Sequence, residues 1–268
     1  MRATVAFNRP ISTAYLHLGL STPDFPVTFR AGEFVMVRPA WAGDPFLPRA
    51  FSIYRVSDGG SSPGDSSPVI EILYKVLGKG TQGLARMEPG QEVEVLGPLG
   101  NAFTPPDHRT VAVLVAGGIG VPPIAALARQ FRNSKFEIRN VAVFLGGKTS
   151  EDIFCVKDFE EAGAKVHITT EDGSLGTRGL VTELLRPFLF TPHVSRPTIY
   201  ACGPPGMLVA VASLAEECAV PCQVSVEANM ACGFGACMGC AIEVQADVTS
   251  YKLVCKDGPV FDSREIKW

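Results

Sequence analysis

The chain has 268 residues, of which 46% are hydrophobic and 19% charged, with a net charge of −3. That length allows one to two domains with an appendage, and the balanced charge gives no reason to expect nucleic acid or an anionic membrane surface as a partner. No apolar run approaches the roughly 20 residues that span a bilayer, and residues 1–20 lack the apolar stretch of a secretion signal, so the expectation is a cytoplasmic protein without a membrane.

The first hundred residues read as short strands between turns: Thr4–Asn8, Tyr15–Leu20, Glu33–Pro39, Arg49–Val56, Val69–Val76 and Glu92–Leu96. Six strands at this spacing predict a small antiparallel β-barrel over 1–104. The Gly-, Ser- and Pro-rich stretch 57–68 predicts a surface loop and carries no functional signal. Within the barrel, Arg49-Ala50-Phe51-Ser52 places an arginine, suited to clamping a pyrophosphate, near a serine able to bond a flavin ring nitrogen. An arginine and a serine three apart lie on opposite faces unless the strand bends, and by itself the motif far more often describes an exposed strand arginine. Gly78-Lys79-Gly80-Thr81 follows a strand, so its amides can approach phosphate and Thr81 can cap a helix, although a plain turn reads the same way.

Residues 105–109 read as a linker, and the pattern then changes. Strands are expected at Thr110–Ala116, Asn140–Leu145, Lys165–Thr170, Thr198–Ala201 and Gln223–Val226. Helices are expected at Ile124–Phe131, Asp158–Ala162, Val181–Leu189 and Pro205–Glu217. Alternating strands and helices predict a doubly wound parallel sheet over 105–221. Gly117, Gly118 and Gly120 follow the first of these strands and open a helix, a turn that lets a dinucleotide pyrophosphate reach the helix N-terminus. The run is not G-x-G-x-x-G, and an ordinary strand–helix turn also fits it. Cys202-Gly203-Pro204-Pro205 stands at a strand C-terminus, the edge where such sheets bind ligands. Cys202 there either faces a nicotinamide or is a buried structural thiol.

The last segment, 222–268, holds Cys232, Cys237, Cys240 and Cys255 in the frame C-x4-C-x2-C-x14-C. This is the plant-type spacing for a [2Fe–2S] cluster, whose two irons take four thiolates. Gly233, Gly235 and Gly239 allow the bends that gather three ligands in one loop. Structural zinc and a disulfide framework are the competing uses of four cysteines. Zinc sites favour two separate ligand pairs, and no secretion signal accompanies a disulfide pattern.

Together these motifs resemble the ferredoxin–NADP reductase superfamily over the whole chain: R-x-x-S, then G-x-G-T, then the GGIG turn, then C-G-P-x-x-M. The cysteine frame and the run Val254–Asp262 are similar to electron-transfer subunits of NAD-dependent dihydroorotate dehydrogenases, a family whose catalytic subunit carries FMN. The resemblance implies an antiparallel β-barrel, an α/β doubly wound sheet and a small C-terminal iron–sulfur domain. It implies FAD held by Arg49, Ala50, Phe51, Ser52, Leu73, Tyr74, Lys75, Gly80 and Thr81, with Glu227, Ala228, Asn229 and Met230 covering the flavin. It further implies NAD at Gly117, Gly118 and Gly120 with Cys202 at the reacting end, and the cluster on the four cysteines. Ala50 departs from the family, which often has proline there; the expected effect is on backbone stiffness rather than flavin binding.

The function implied is relay of electrons between NAD and the partner's FMN in pyrimidine biosynthesis, within a heterotetramer. A related subunit of a hydrogenase or a ferredoxin:NADP transhydrogenase is the second expectation, and a zinc-stabilised module on a defunct reductase fold is the third. For NAD against NADP, Lys148 would favour a 2′-phosphate and Glu151 or Asp152 a free ribose.

Overall fold

Alternation shapes the first half of the chain. In Glu92–Leu99 the residues alternate between exposed Glu92, Glu94 and Leu96 and buried Val93 and Val95. This is the pattern of a strand with one face on a core and one in water. The computed structural model describes residues 1–26, 28–40, 47–57, 67–106, 110–133, 141–191 and 197–268. Residues 58–66 of the expected surface loop, 107–109 of the expected linker and Asn140 of an expected strand lie outside the described residues.

The first domain contains β1 (Arg2–Pro10), β2 (Tyr15–Ser21), β3 (Phe34–Pro39), β4 (Arg49–Ser52), β5 (Arg55–Ser57), β6 (Val69–Lys75), helix α1 (Lys79–Ala85) and β7 (Glu92–Leu99). These strands form one antiparallel sheet in the order β4-β3-β7-β1-β2-β6-β5. Val5, Leu18, Leu20, Val35, Val37, Ile70, Ile72, Val93 and Val95 meet in one core. Phe51 on β4, at one end of the order, packs its ring 5.8 Å from Tyr74 on β6, near the other end. A single sheet can do this only by curling around its core, which gives the barrel-like form. The strand expected over Arg49–Val56 is two strands, broken at Ile53-Tyr54.

The second domain has continuous buried runs in place of alternation. β8 (Val111–Gly117) and β9 (Val141–Gly147) are buried over most of their length, as central strands covered on both faces must be. Their neighbours are α2 (Val121–Asn133), α3 (Val156–Glu161), β10 (Lys165–Thr170), β11 (Thr177–Arg178), α4 (Val181–Leu189), β12 (Pro197–Cys202), α5 (Pro205–Glu217) and β13 (Cys222–Ser225). After β14 (Ala241–Val244), β15 (Ser250–Leu253) and α6 (Val254–Asp257), β16 (Val260–Asp262) returns to the sheet. Its order is β11-β10-β9-β8-β12-β13-β16, parallel except for β16. β13 completes the parallel sheet, and β16 ties the C-terminal segment to it.

The barrel is tied to both other parts. The Tyr15 hydroxyl donates to Asp152 Oδ1 at 2.5 Å, and the Tyr54 hydroxyl bonds Asp158. Arg129, on α2, pairs with the same Asp158 and with the carbonyl of Tyr54. Asn101, just past β7, donates through Nδ2 to the carbonyls of Lys256 and Asp257. Among the described residues, no helix is long and apolar enough to cross a membrane.

Candidate functional site

Parallel strands end at a common edge, and the loops that follow line a cavity of about 550 Å³ there. Gly117, Gly118 and Gly120 line it after β8, Gly146 to Lys148 around the end of β9, Thr169 and Glu171 around the end of β10, and Gly203 to Met207 after β12. Gly120 is required by close approach: a Cβ there would lie 2.4 Å from the carbonyl oxygen of Cys202. The glycine turn is thus wedged against the next strand at the start of α2, the end of a helix that favours an anion.

Cys202 itself is 2% exposed and does not line this cavity. Burial and the charge of Glu227 raise its thiol, which is bonded to the Ser225 side chain. The following Gly203 and Pro204 line the cavity wall.

A second cavity, of about 510 Å³, lies between the barrel and the segment after β13. Arg49, Ala50, Phe51 and Ser52 all line it, together with Leu73, Tyr74, Lys75 and Thr81. β4 is an edge strand, and all four of these residues are half-buried. Arg49 Nη1 donates to the carbonyl of Leu47 at 2.7 Å, which holds the guanidinium at the cavity wall. Gly80 packs beneath the same guanidinium and is not itself a wall residue. The Thr81 hydroxyl accepts from the amides of Leu77 and Gly78 and donates to the Gly78 carbonyl. It closes the turn at the cavity wall. With a cation at one wall and aromatic and aliphatic side chains at the others, the cavity suits a flat ring system that carries phosphates.

The two cavities share Lys75, Ile119 and Glu227. Lys75 Nζ stands 3.9 Å from Asp152 Oδ1 and over the Tyr15 ring. Asp152 accepts from the Tyr15 hydroxyl and from the amides of Lys148 and Thr149. Burial raises its carboxyl, but these bonds outweigh that and hold it below its ordinary value. Desolvation among the cavity walls raises the carboxyl of Glu227.

The segment Val226–Met230 lines the second cavity, and Cys232 follows two residues later. The cysteine loop sits on the barrel: a Cβ on Gly233, whose φ is +82°, would lie 2.5 Å from Met36 Cγ. The thiols form two pairs. Cys232 and Cys237 are within hydrogen-bond reach of each other, as are Cys240 and Cys255. The amide of Cys237 donates to Cys232 Sγ at 3.5 Å, Gly239 to Cys237 Sγ at 3.5 Å, and Cys255 to Cys240 Sγ at 3.4 Å. Burial raises the Cys232 thiol, but the amides of Cys237, Phe234 and Ala236 bring it down to about 6. Burial, and the neighbouring Cys240, push Cys255 up to about 12. Among the described residues, no three His, Cys, Asp or Glu are gathered around a position for one metal ion. Paired thiols supported by backbone amides fit a two-iron cluster, which takes two thiolates per iron and carries negative charge on its sulfurs.

Residues 227–267 match the family described as the iron–sulfur cluster binding domain of dihydroorotate dehydrogenase B, and residues 114–213 match the oxidoreductase NAD-binding domain. The electron transfer subunit of dihydroorotate dehydrogenase B (NAD(+)) from Geobacillus kaustophilus is 39% identical, over 99% of this chain and 97% of that protein. The same-named subunit from Desulforamulus reducens is 36% identical, over 94% of this chain and 92% of its own length. A solved NADH-dependent reduced ferredoxin–NADP oxidoreductase, studied for flavin-based electron bifurcation, superposes with a TM-score of 0.82 at 25% identity. That match covers 99% of this chain and 90% of the other.

Proposed function

The chain belongs to the family of electron transfer subunits of NAD-linked dihydroorotate dehydrogenase B, and from that premise we propose how its residues divide the work. It carries electrons between NAD and a separate dihydroorotate dehydrogenase catalytic subunit, through FAD and a [2Fe–2S] cluster, as a step of pyrimidine biosynthesis. When bound, FAD exchanges a hydride's two electrons with NAD and passes them on singly, and the cluster carries one.

The single observation that carries this reading is the contiguity of three sites. One cavity wall, with Lys75, Ile119 and Glu227, is shared by both cavities, and the second cavity leads through Met230 to Cys232. Arg49 anchors phosphate, and Phe51 and Ser52 face the flavin ring. Leu73, Tyr74 and Lys75 hold its ribityl side. Gly80 leaves room for the Arg49 guanidinium, and Thr81 fixes the turn beside it. Glu227 and Met230 cover the flavin, with Ala228 and Asn229 between them. The Gly117–Gly120 turn receives the dinucleotide pyrophosphate, and the Cys202 strand end supports it from below. Cys232 with Cys237, and Cys240 with Cys255, hold the two irons. The catalytic partner carries FMN, binds dihydroorotate and forms a heterotetramer with this chain in the cytoplasm.

The test is anaerobic purification followed by addition of NADH, then of the dihydroorotate dehydrogenase catalytic subunit with orotate. Flavin bands that bleach, a reduced [2Fe–2S] EPR signal and NADH-linked orotate reduction are expected. A colourless protein holding zinc would overturn the reading. The whole-chain likeness to the ferredoxin–NADP oxidoreductase supports a second reading, electron exchange with ferredoxin. NADH-dependent reduction of ferredoxin, with no turnover alongside the dihydroorotate dehydrogenase subunit, would favour it.

A further inference from the structure

The register of the parallel sheet fixes how a dinucleotide lies in the first cavity. Thr169 pairs with Gly146, Gly146 with Gly117, Ala116 with Cys202, and Cys202 with Ser225. The glycine turn after β8 is thus midway along the edge, two strands from β10 on one side and two from β13 on the other. Glu227 follows two residues after Ser225, and Glu171 follows two after Thr169. Four strand spacings of about 4.8 Å put the two ends of this row ~19 Å apart. Glu227 belongs to the wall shared with the second cavity, so the nicotinamide end lies there. The pyrophosphate then crosses the glycine turn, and the adenosine half falls at β10. Glu171 and Leu180 line the first cavity only, and Leu180 is 55% exposed, an apolar face at that end.

Four acidic residues follow β9 and β10 closely, and three of them are committed elsewhere. Glu151 accepts from the Thr13 hydroxyl. Asp152 is bonded to Tyr15 and to two amides. Asp172 accepts from the amide and hydroxyl of Ser174. The Glu171 carboxylate has no side-chain partner among the described residues, and its own amide is fixed to the Gly147 carbonyl at 3.0 Å. Lys148, next to that carbonyl, lines the same wall.

We propose that Glu171 selects NAD(H) over NADP(H), accepting a hydrogen bond from the 2′-hydroxyl of the adenosine ribose and repelling a 2′-phosphate at the same place. This rests on the dinucleotide reading of the first cavity. It moves the selector from the loop after β9, where the sequence places Glu151 and Asp152, to the loop after β10. Lys148 is the opposing group in the cavity lining, so removing the carboxylate leaves its positive charge there.

The test uses the full chain loaded with flavin and cluster, and redox-silent probes: ADP-ribose and 2′-phospho-ADP-ribose, titrated calorimetrically. Wild type is expected to bind ADP-ribose the more tightly. Glu171→Gln shifts the ratio of the two affinities by about tenfold or more towards the phosphate, as loss of one close like-charge contact requires. Adding Lys148→Ala to Glu171→Gln then weakens 2′-phospho-ADP-ribose alone. Glu151→Gln leaves the ratio where it was. An unchanged ratio in Glu171→Gln overturns the proposal while the dinucleotide cavity stands. If wild type binds neither probe, the cavity reading fails and the proposal fails with it.

Discussion

The Tyr15 hydroxyl, carried by the barrel, lies 2.5 Å from Asp152 Oδ1, carried by the α/β domain. This bond joins the two halves of the molecule at the wall of the first cavity and lies beside Lys75, which also lines the second. Asp152 Oδ1 thereby ties the α/β domain to the barrel, while Oδ2 accepts from the Lys148 and Thr149 amides of its own loop.

Tyr15→Phe removes that bond and keeps the ring. A half-buried bond to a charged acceptor is worth ~1–2 kcal/mol, so chemical denaturation should show a loss of that size. Identical unfolding curves would refute the role. The pH dependence has a definite sign. Asp152 is held below its ordinary value of 3.8, so its contribution is present above that pH and is lost as pH falls through the folded-state value. The gap between wild type and Tyr15→Phe should therefore be constant from neutrality to mild acid and close only at lower pH. A gap that opens on acidification would contradict the assignment.

Gly120→Ala places a methyl 2.4 Å from the Cys202 carbonyl oxygen, and neither backbone segment can yield cheaply. Stability should fall by about 1–3 kcal/mol, and NADH affinity should drop with the displaced turn. Flavin content should remain, because the second cavity does not include this residue. Stopped-flow bleaching of the flavin over a range of NADH concentrations measures the effect.

Arg49→Ala removes the cation held at the wall of the second cavity. Charge-assisted contacts to phosphate are roughly twice as strong as neutral ones, so FAD affinity should weaken by about tenfold or more. The flavin-to-protein ratio after dialysis reads this directly. Full retention of flavin would show that the guanidinium does not contact phosphate.

Cys240→Ser changes a buried thiol that pairs with Cys255. Iron content and the reduced-cluster EPR signal should be lost, and electron delivery to the catalytic subunit with them. Bleaching of the flavin by NADH should persist, since the cavities lie upstream of the cysteine loop. Loss of both activities together would mean that the loop is needed for the fold of the flavin site.

Much of this molecule was legible in the chain. The strand Lys165–Thr170 and the helices Val181–Leu189 and Pro205–Glu217 coincide with their expected bounds, because amphipathic or continuous apolar periodicity is a local signal. Helix α1 was not expected as an element, since its seven residues include two glycines. The split between β4 and β5 was missed because the bend at Ile53-Tyr54 is imposed by packing: Ile53 is fully buried and the Tyr54 hydroxyl reaches Asp158. Around the two cavities, the Arg49–Ser52 run and the Gly117–Gly120 turn were visible as short runs. Tyr15, Glu171 and Leu180 were not, since each is an ordinary residue until the sheet edge brings it to a cavity.

By itself, the sequence determined the element types, the glycine turns and the four-cysteine frame. All of these are set by neighbours a few residues away, through side-chain period, backbone freedom and ligand spacing. Only the tertiary structure decided which acidic side chains near the first cavity accept bonds from other side chains, that Cys202 is buried, and that both cavities meet at Lys75, Ile119 and Glu227. Those outcomes depend on hydrogen bonds and packing between residues more than a hundred positions apart, such as Tyr15 and Asp152. The free energy of such contacts comes from the folded arrangement, and no local pattern in the chain encodes it.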